Sequence, residues 1–275
     1  MTLLSMNELT TFRWSLEEDV EHYQHAGYHS IGVWRQKLAD GEEDRGVDLL
    51  ASSGLSVSNL LWAGGFTGSD GRALSESIDD AAQAIRLAAA LRAGCLVVYS
   101  GGRNNHTYRH AGRLLRTALD ELLPLAETVE VPLALEPMHP RCAADWTFLT
   151  DLDSVLSLID EFQSDYLKIA FDTYHFPLGA AQRSVLARLA PYIGIVHLAD
   201  RRVPPSIEQE RCPLGQGRVP LAEIVTTLLE AGYTGAFDVK LLGPEIGLNN
   251  YWMLLEQSQL AFADLANVPA PGTLA

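Results

Sequence analysis

Short apolar runs recur along the chain, and several follow a segment of helical periodicity that stops at glycine. This punctuation occurs at Ala26-Gly27 before 30–34, at Ser53-Gly54 before 57–62, at Ala93-Gly94 before 95–99 and at Ala231-Gly232 before 235–242. Glycine after a helix supplies a left-handed cap. The runs are apolar throughout instead of alternating, as expected for strands covered on both faces. Ser15 with Glu18 reads as a capping box, and Ile78, Ala81, Ala82, Ile85 and Ala89 form a helical stripe over 77–92. A long helix is predicted over 108–129. Thr150 is expected to cap 151–162, Pro220 to open 221–230, and a last helix to run over 248–265. From about 268 the chain reads as a loose tail.

Strands are predicted near 9–13, 30–34, 57–62, 95–99, 132–136, 167–172, 193–198 and 235–242. Eight strands alternate with helices, and no composition break marks a linker. The simplest solution is a single (β/α)8 TIM barrel over residues 1–275. A doubly wound open sheet is the rival, but the first strand is not followed by a glycine-rich phosphate fingerprint.

Composition narrows the function classes. A hydrophobic content of 47% in 275 residues supports a large core. No run of about 18 uncharged apolar residues suggests a membrane span, and residues 1–10 lack the basic start and apolar stretch of a secretory signal. Cys95, Cys142 and Cys212 are far apart and form neither a zinc spacing nor a disulfide framework, so a reducing cytoplasm is expected. A net charge of -15 without a basic patch disfavours nucleic acid. A homo-oligomer is possible.

Three apolar runs end in chemistry. Residues 132–136 finish in Glu136, 167–172 in Asp172, and 193–198 carry His197 near their end. Alternation along each strand puts Ala134 with Glu136, Ala170 with Asp172, and Ile195 with His197 on one face. On the last strand Asp238 and Lys240 share a face, and Phe237, Val239 and Leu241 point to the helices. In such barrels the C-terminal strand ends build the site. Two carboxylates and an imidazole suit a divalent ion such as Mn, Mg, Co or Zn. The competing reading makes Glu136 and Asp172 buried ion-pair partners. Trp14, Trp34 and Trp62 stand near the ends of the first three strands and could wall a sugar-sized pocket. Arg35 and Gln36 could bind hydroxyls. The loop Ser100 to His106 suits a flexible cover over the mouth, and His139 stands close after Glu136.

Leu135-Glu136-Pro137, Phe171-Asp172-Thr173-Tyr174-His175, Val196-His197-Leu198-Ala199-Asp200 and Gly215-Gln216-Gly217 resemble the xylose isomerase-like barrel superfamily, the sugar phosphate isomerase/epimerase group. The resemblance covers nearly the whole chain. It implies one divalent metal held by Glu136, Asp172, His197 and a second glutamate on the last strand, with proton transfer next to a carbonyl. It also implies a small sugar, polyol or keto-sugar substrate, touched by His175 and one of Arg202 or Arg211. From its own place on the loop after the fourth strand, His106 is a further candidate for the substrate pocket.

The chain departs from that pattern where Gly232-Tyr233-Thr234-Gly235-Ala236-Phe237-Asp238-Val239 runs into Lys240 and not into glutamate. A protonated lysine about 5 Å from a divalent ion is repelled by several kcal/mol at an effective dielectric near 20. Lys240 is therefore neutral, or swings away, or the metal binds weakly; Glu245 could replace the lost ligand. Alternatively Lys240 pairs with Asp238 or Glu136 and no metal binds. The expected activity is a single-base isomerase or lyase with Glu136 and Lys240 as catalytic groups. The alternatives are a barrel that binds sugar without turnover and a Schiff-base lyase using Lys240. DNA repair endonucleases share the superfamily fold, but the acidic charge and the short ligand set argue against that activity.

Overall fold

The computed structural model describes residues 3–40 and 43–266, so the tail expected from about 268 lies outside the described residues. The strands are β1 (Leu3–Asn7), β2 (Ser30–Trp34), β3 (Ser56–Gly64), β4 (Leu96–Tyr99), β5 (Leu133–Leu135), β6 (Leu167–Asp172), β7 (Ile193–Leu198) and β8 (Ala236–Val239). They pair in chain order, all parallel, into a closed barrel. Closure comes from β1 against β8, with Leu3 opposite Ala236 and Met6 opposite Val239. No helix among the described residues is long and apolar enough to cross a membrane.

Two apolar layers explain why most strand positions are apolar on both faces. Ile31, Leu60, Leu96, Leu133, Phe171 and Phe237 pack outward against the helices. Cys95, Val97, Ala134, Ala170, Ile195 and Ala236 fill the barrel interior. Interior side chains are mostly small because eight strands leave little room inside. Each large side chain buried in the outer layer contributes about 1.5–3 kcal/mol. Phe237, Val239 and Leu241 face the helices as the alternation requires.

The first strand differs from its expected position at 9–13. The ladder uses Leu3–Asn7, and the chain then turns, with Thr10 N donating to Asn7 O at 2.9 Å and Thr11 N to Glu8 O at 3.2 Å. Thr10 Oγ1 donates to Val239 O at 3.0 Å and Thr11 Oγ1 to Asp19 Oδ1 at 2.6 Å. These threonine hydroxyls take partners that favour the turn over strand pairing. The capping box at Ser15 forms, with Ser15 N donating to Glu18 Oε2 at 2.8 Å. The helix Leu152–Phe162 is capped by Asp151 and not by Thr150, because the Asp151 carboxylate accepts from Ser154 N at 2.7 Å.

One interior contact dictates a residue type. A Cβ on Gly32 would lie 2.6 Å from Asn7 Nδ2 and closer still to Asp238 Oδ2. Asn7 and Asn59 both donate to that carboxylate oxygen, at 2.5 and 2.8 Å. Gly32→Ala is expected to destabilise the barrel by about 1–3 kcal/mol through overpacking. Urea unfolding midpoints check this, and an unchanged midpoint would mean that the polar layer has room to yield.

Candidate active site

The C-terminal strand ends bring four groups together. Glu136 follows β5, Asp172 ends β6, His197 lies in β7 opposite Asp172, and Lys240 follows β8. Glu136, Asp172 and His197 each present a ligand atom, all within 4.8 Å of one another. All three are fully buried, and Lys240 is nearly so. The Lys240 ammonium donates to Glu136 Oε1 at 2.8 Å and Oε2 at 3.0 Å. It also lies 3.2 Å from His197 Nδ1 and 3.6 Å from Asp172 Oδ2. The lysine therefore turns inward, among the three groups expected to hold a metal.

Arg211 joins the cluster. Its buried guanidinium donates to Asp172 Oδ2 and to the Lys240 carbonyl, both at 2.9 Å, and stacks over Tyr174 at 4.7 Å. Burial opposes ionisation of Glu136, but Lys240 and then His197 outweigh it and hold the carboxyl well below its usual range. Burial likewise opposes ionisation of Asp172, and Arg211 and then Lys240 bring its pKa below the usual value. Tyr99 completes the floor, with its hydroxyl donating to Glu136 Oε2 at 3.1 Å. Burial first, then the charges of Glu136 and Asp172, push the Tyr99 hydroxyl well above its ordinary pKa, so it stays a donor.

His175 also lies here, buried, with both ring nitrogens lacking a hydrogen-bond partner among the described residues. Burial pulls its pKa from 6.5 down to about 4. The unfolded chain binds this proton at higher pH than the folded one. Its stabilising effect is thus fully present above about pH 6.5 and is lost as pH falls toward 4. His175→Gln is expected to remove about 2 kcal/mol of the stability change between pH 6.5 and 5. Urea unfolding at both pH values measures it, and an identical slope in variant and wild type would contradict the buried neutral ring.

Above the cluster lies a cleft of about 440 Å³, lined in part by Trp34, Arg35, Gln36, Trp62, Tyr99, Gly101 and Trp146. Trp62, Tyr99 and Trp146 stack edge to face, with ring centres 5.1–5.7 Å apart. Tyr99 lines the cleft and also touches the Glu136–Lys240 pair. Arg35 in the wall is paired with Asp80 at 2.8 Å.

Several expected site residues lie elsewhere. Trp14 packs against His22 and Tyr251, with ring centres 4.2 and 5.0 Å away, because the chain after β1 turns outward. Arg202 pairs with Glu245 on the surface, so Glu245 does not serve as a stand-in ligand. The His106 ring lies 3.1 Å from Thr67 O and against His110, which fixes the loop and leaves it out of the cluster. His139 Nδ1 accepts from Arg141 N at 3.3 Å. Tyr99 was missed, although it shares strand parity with the interior residues Cys95 and Val97. Trp146 comes from a loop whose sequence carries no periodic signal.

The sequence profile of the xylose isomerase-like TIM barrel family matches residues 20–251. The chain belongs to this family. A D-psicose 3-epimerase from Enterocloster bolteae is 29% identical over 134 residues, covering 48% of this chain and 40% of that protein. An inosose isomerase from Bacillus licheniformis is 29% identical over 132 residues, 46% of each protein. The matched stretches thus span less than half the length of these relatives. The crystal structure of protein SMc04130 from Sinorhizobium meliloti 1021 superposes with a TM-score of 0.87 at 26% identity, covering 95% of this chain and 98% of that one.

In this xylose isomerase-like barrel Glu136, Asp172 and His197 are a donor set that could hold a metal. Lys240 is what does not fit. Ligand atoms approach a divalent ion at about 2.0–2.3 Å, and the ammonium fills the space where they would converge. The charges are already balanced, with Glu136 and Asp172 against Lys240 and Arg211. A divalent ion about 4 Å from the ammonium would be repelled by about 8 kcal/mol at an effective dielectric of 20.

Proposed function

We propose that this barrel moves a proton at a carbon next to a carbonyl of a small polyhydroxylated compound, as in aldose–ketose isomerisation or loss of water. The contact between Glu136 and Lys240 at the barrel mouth, under an indole-lined cleft, carries this reading. Flat indole faces suit the apolar face of a sugar ring or chain. A substrate in the cleft meets the Tyr99 hydroxyl first, whose oxygen accepts from a substrate hydroxyl while its own proton stays hydrogen-bonded to Glu136. Glu136 then takes the proton from the carbon, the electron pair shifts to the carbonyl oxygen, and Lys240 and Arg211 stabilise the resulting enediolate. Return of that proton to the former carbonyl carbon, with the neighbouring hydroxyl proton passing to the former carbonyl oxygen, completes isomerisation. Return to a leaving hydroxyl completes elimination.

Lysine replaces the second glutamate, so one carboxylate serves one face of the substrate. This favours isomerisation or elimination over inversion by two bases. The relatives named as psicose epimerase and inosose isomerase support the substrate class, though over less than half their length. A panel of ketoses, aldoses and inososes in deuterated water, followed by NMR, tests the proposal. The expected result is exchange at one carbon next to the carbonyl. Efficient epimerisation with deuterium entering from both faces would sink it.

A second reading has an observation of its own. Both Glu136 oxygens accept from Lys240, and the carboxyl is held well below its usual pKa, which weakens it as a base. A barrel that binds sugar without turnover would show saturable binding of panel compounds with no exchange.

A further inference from the structure

We infer that Lys240 supplies, as a built-in ammonium, the positive charge that a divalent ion would bring to this donor set, so that the chain works without a bound metal. The role given to that charge in the reaction rests on the function proposed above; the placement of the lysine does not.

The geometry has three parts. First, the nitrogen lies 2.8 Å from Glu136, 3.2 Å from His197 and 3.6 Å from Asp172, among the same three groups that could otherwise coordinate an ion. Second, its direction is fixed by the strand. Lys240 N donates to Leu198 O at 3.0 Å, which continues the β8 pairing and sends the side chain inward after Ala236 and Asp238. Third, Asp172 is already committed. One of its oxygens accepts from Arg211, and its other oxygen accepts from Tyr174 N at 2.9 Å. A metal would have to take the Asp172 carboxylate from two donors and the Glu136 carboxylate from a third, and leave a buried ammonium with no counter-charge. An ammonium does the same electrostatic task with three N–H donors and no third carboxylate.

In the reaction the lysine keeps its proton. The proton that leaves the substrate carbon goes to Glu136, the negative charge that develops on oxygen faces the ammonium and the Arg211 guanidinium, and the proton returns from Glu136. No oxidant, reductant or co-reactant is required.

Calorimetric titration of the EDTA-treated 275-residue chain with manganese chloride and with zinc chloride tests the inference. Wild type is expected to show no one-to-one binding at micromolar metal. Lys240→Glu supplies a third carboxylate as the fourth ligand. It is expected to gain at least a hundred-fold in manganese affinity and to melt at higher temperature with manganese present. Adding Asp172→Ala to that variant should remove the gain. One-to-one micromolar binding by wild type that Asp172→Ala abolishes would overturn the inference. Should Lys240→Glu fail to fold, the wild-type titration and its Asp172→Ala control decide by themselves.

The panel assay run with EDTA separates this inference from the proposed function. Exchange that survives EDTA supports both. Exchange lost to EDTA and restored by manganese overturns the built-in cation. Absence of exchange under any condition, with no metal bound, removes the proposed reaction and leaves the assignment of Lys240 supported.

Discussion

Replacing Lys240 by methionine is expected to destabilise the barrel by about 3–5 kcal/mol, the usual cost of breaking a buried ion pair by removing one partner. The ammonium donates to both Glu136 oxygens, and neither side chain has more than marginal access to solvent. Methionine fills similar volume, so the loss is one of charge and hydrogen bonds more than of packing. Glu136 would keep the Tyr99 hydroxyl and His197, and its pKa should rise because the main group lowering it is gone. Urea unfolding curves at pH 7 measure the loss. Pairing Lys240→Met with Glu136→Leu should recover most of it, since a buried pair replaced as a whole is often neutral. A change below about 1 kcal/mol in the single variant would mean that the ammonium does not sit against Glu136.

Glu136→Gln is expected to lower turnover of any exchanging substrate by 10²- to 10⁴-fold, the range for removing a general base. The amide keeps the shape and still accepts from Tyr99, but it cannot take a proton from carbon. Substrate affinity should change little, because the cleft is built from Trp34, Trp62 and Trp146 and not from Glu136. Rates of deuterium incorporation, read by NMR at saturating substrate, report the loss. A variant that exchanges as fast as wild type would assign the base to another group.

The barrel was legible because its strands carry the signal twice. Apolar runs such as 167–172 mark buried strands, and glycines at helix ends mark where strands begin. Gly27, Gly54 and Gly232 all adopt positive φ, between 79° and 84°. At Ala93-Gly94 the left-handed residue is Arg92, at φ 52°, and Gly94 instead lets the backbone approach Ser58. The first strand was misplaced because Leu9, Thr10, Thr11 and Phe12 have strand-forming side chains, yet their hydroxyls and amides find partners in a turn. Composition does not encode that competition.

The site was legible where alternation on one strand fixes direction. Glu136, Asp172 and His197 follow Ala134, Ala170 and Ile195 into the barrel, and parity placed Lys240 on the same side. Parity does not say where a four-carbon side chain ends. Lys240 reaches Glu136 across the mouth, 104 residues back in the chain, and that pairing depends on barrel closure. Arg211 and Arg202 looked alike in sequence, on one loop before Gly215. One is buried against Asp172, the other paired with Glu245 on the surface. Trp14 looked equivalent to Trp34, and the outward turn after β1 separates them.

A crystal soaked in manganese, with diffraction recorded at the manganese absorption edge, tests the central claim most directly. The expected result is no anomalous peak between Glu136, Asp172 and His197, with the Lys240 nitrogen still within hydrogen-bond distance of Glu136. A peak there, about 2.0–2.3 Å from the three ligand atoms, with the lysine turned out of the cluster, would contradict it.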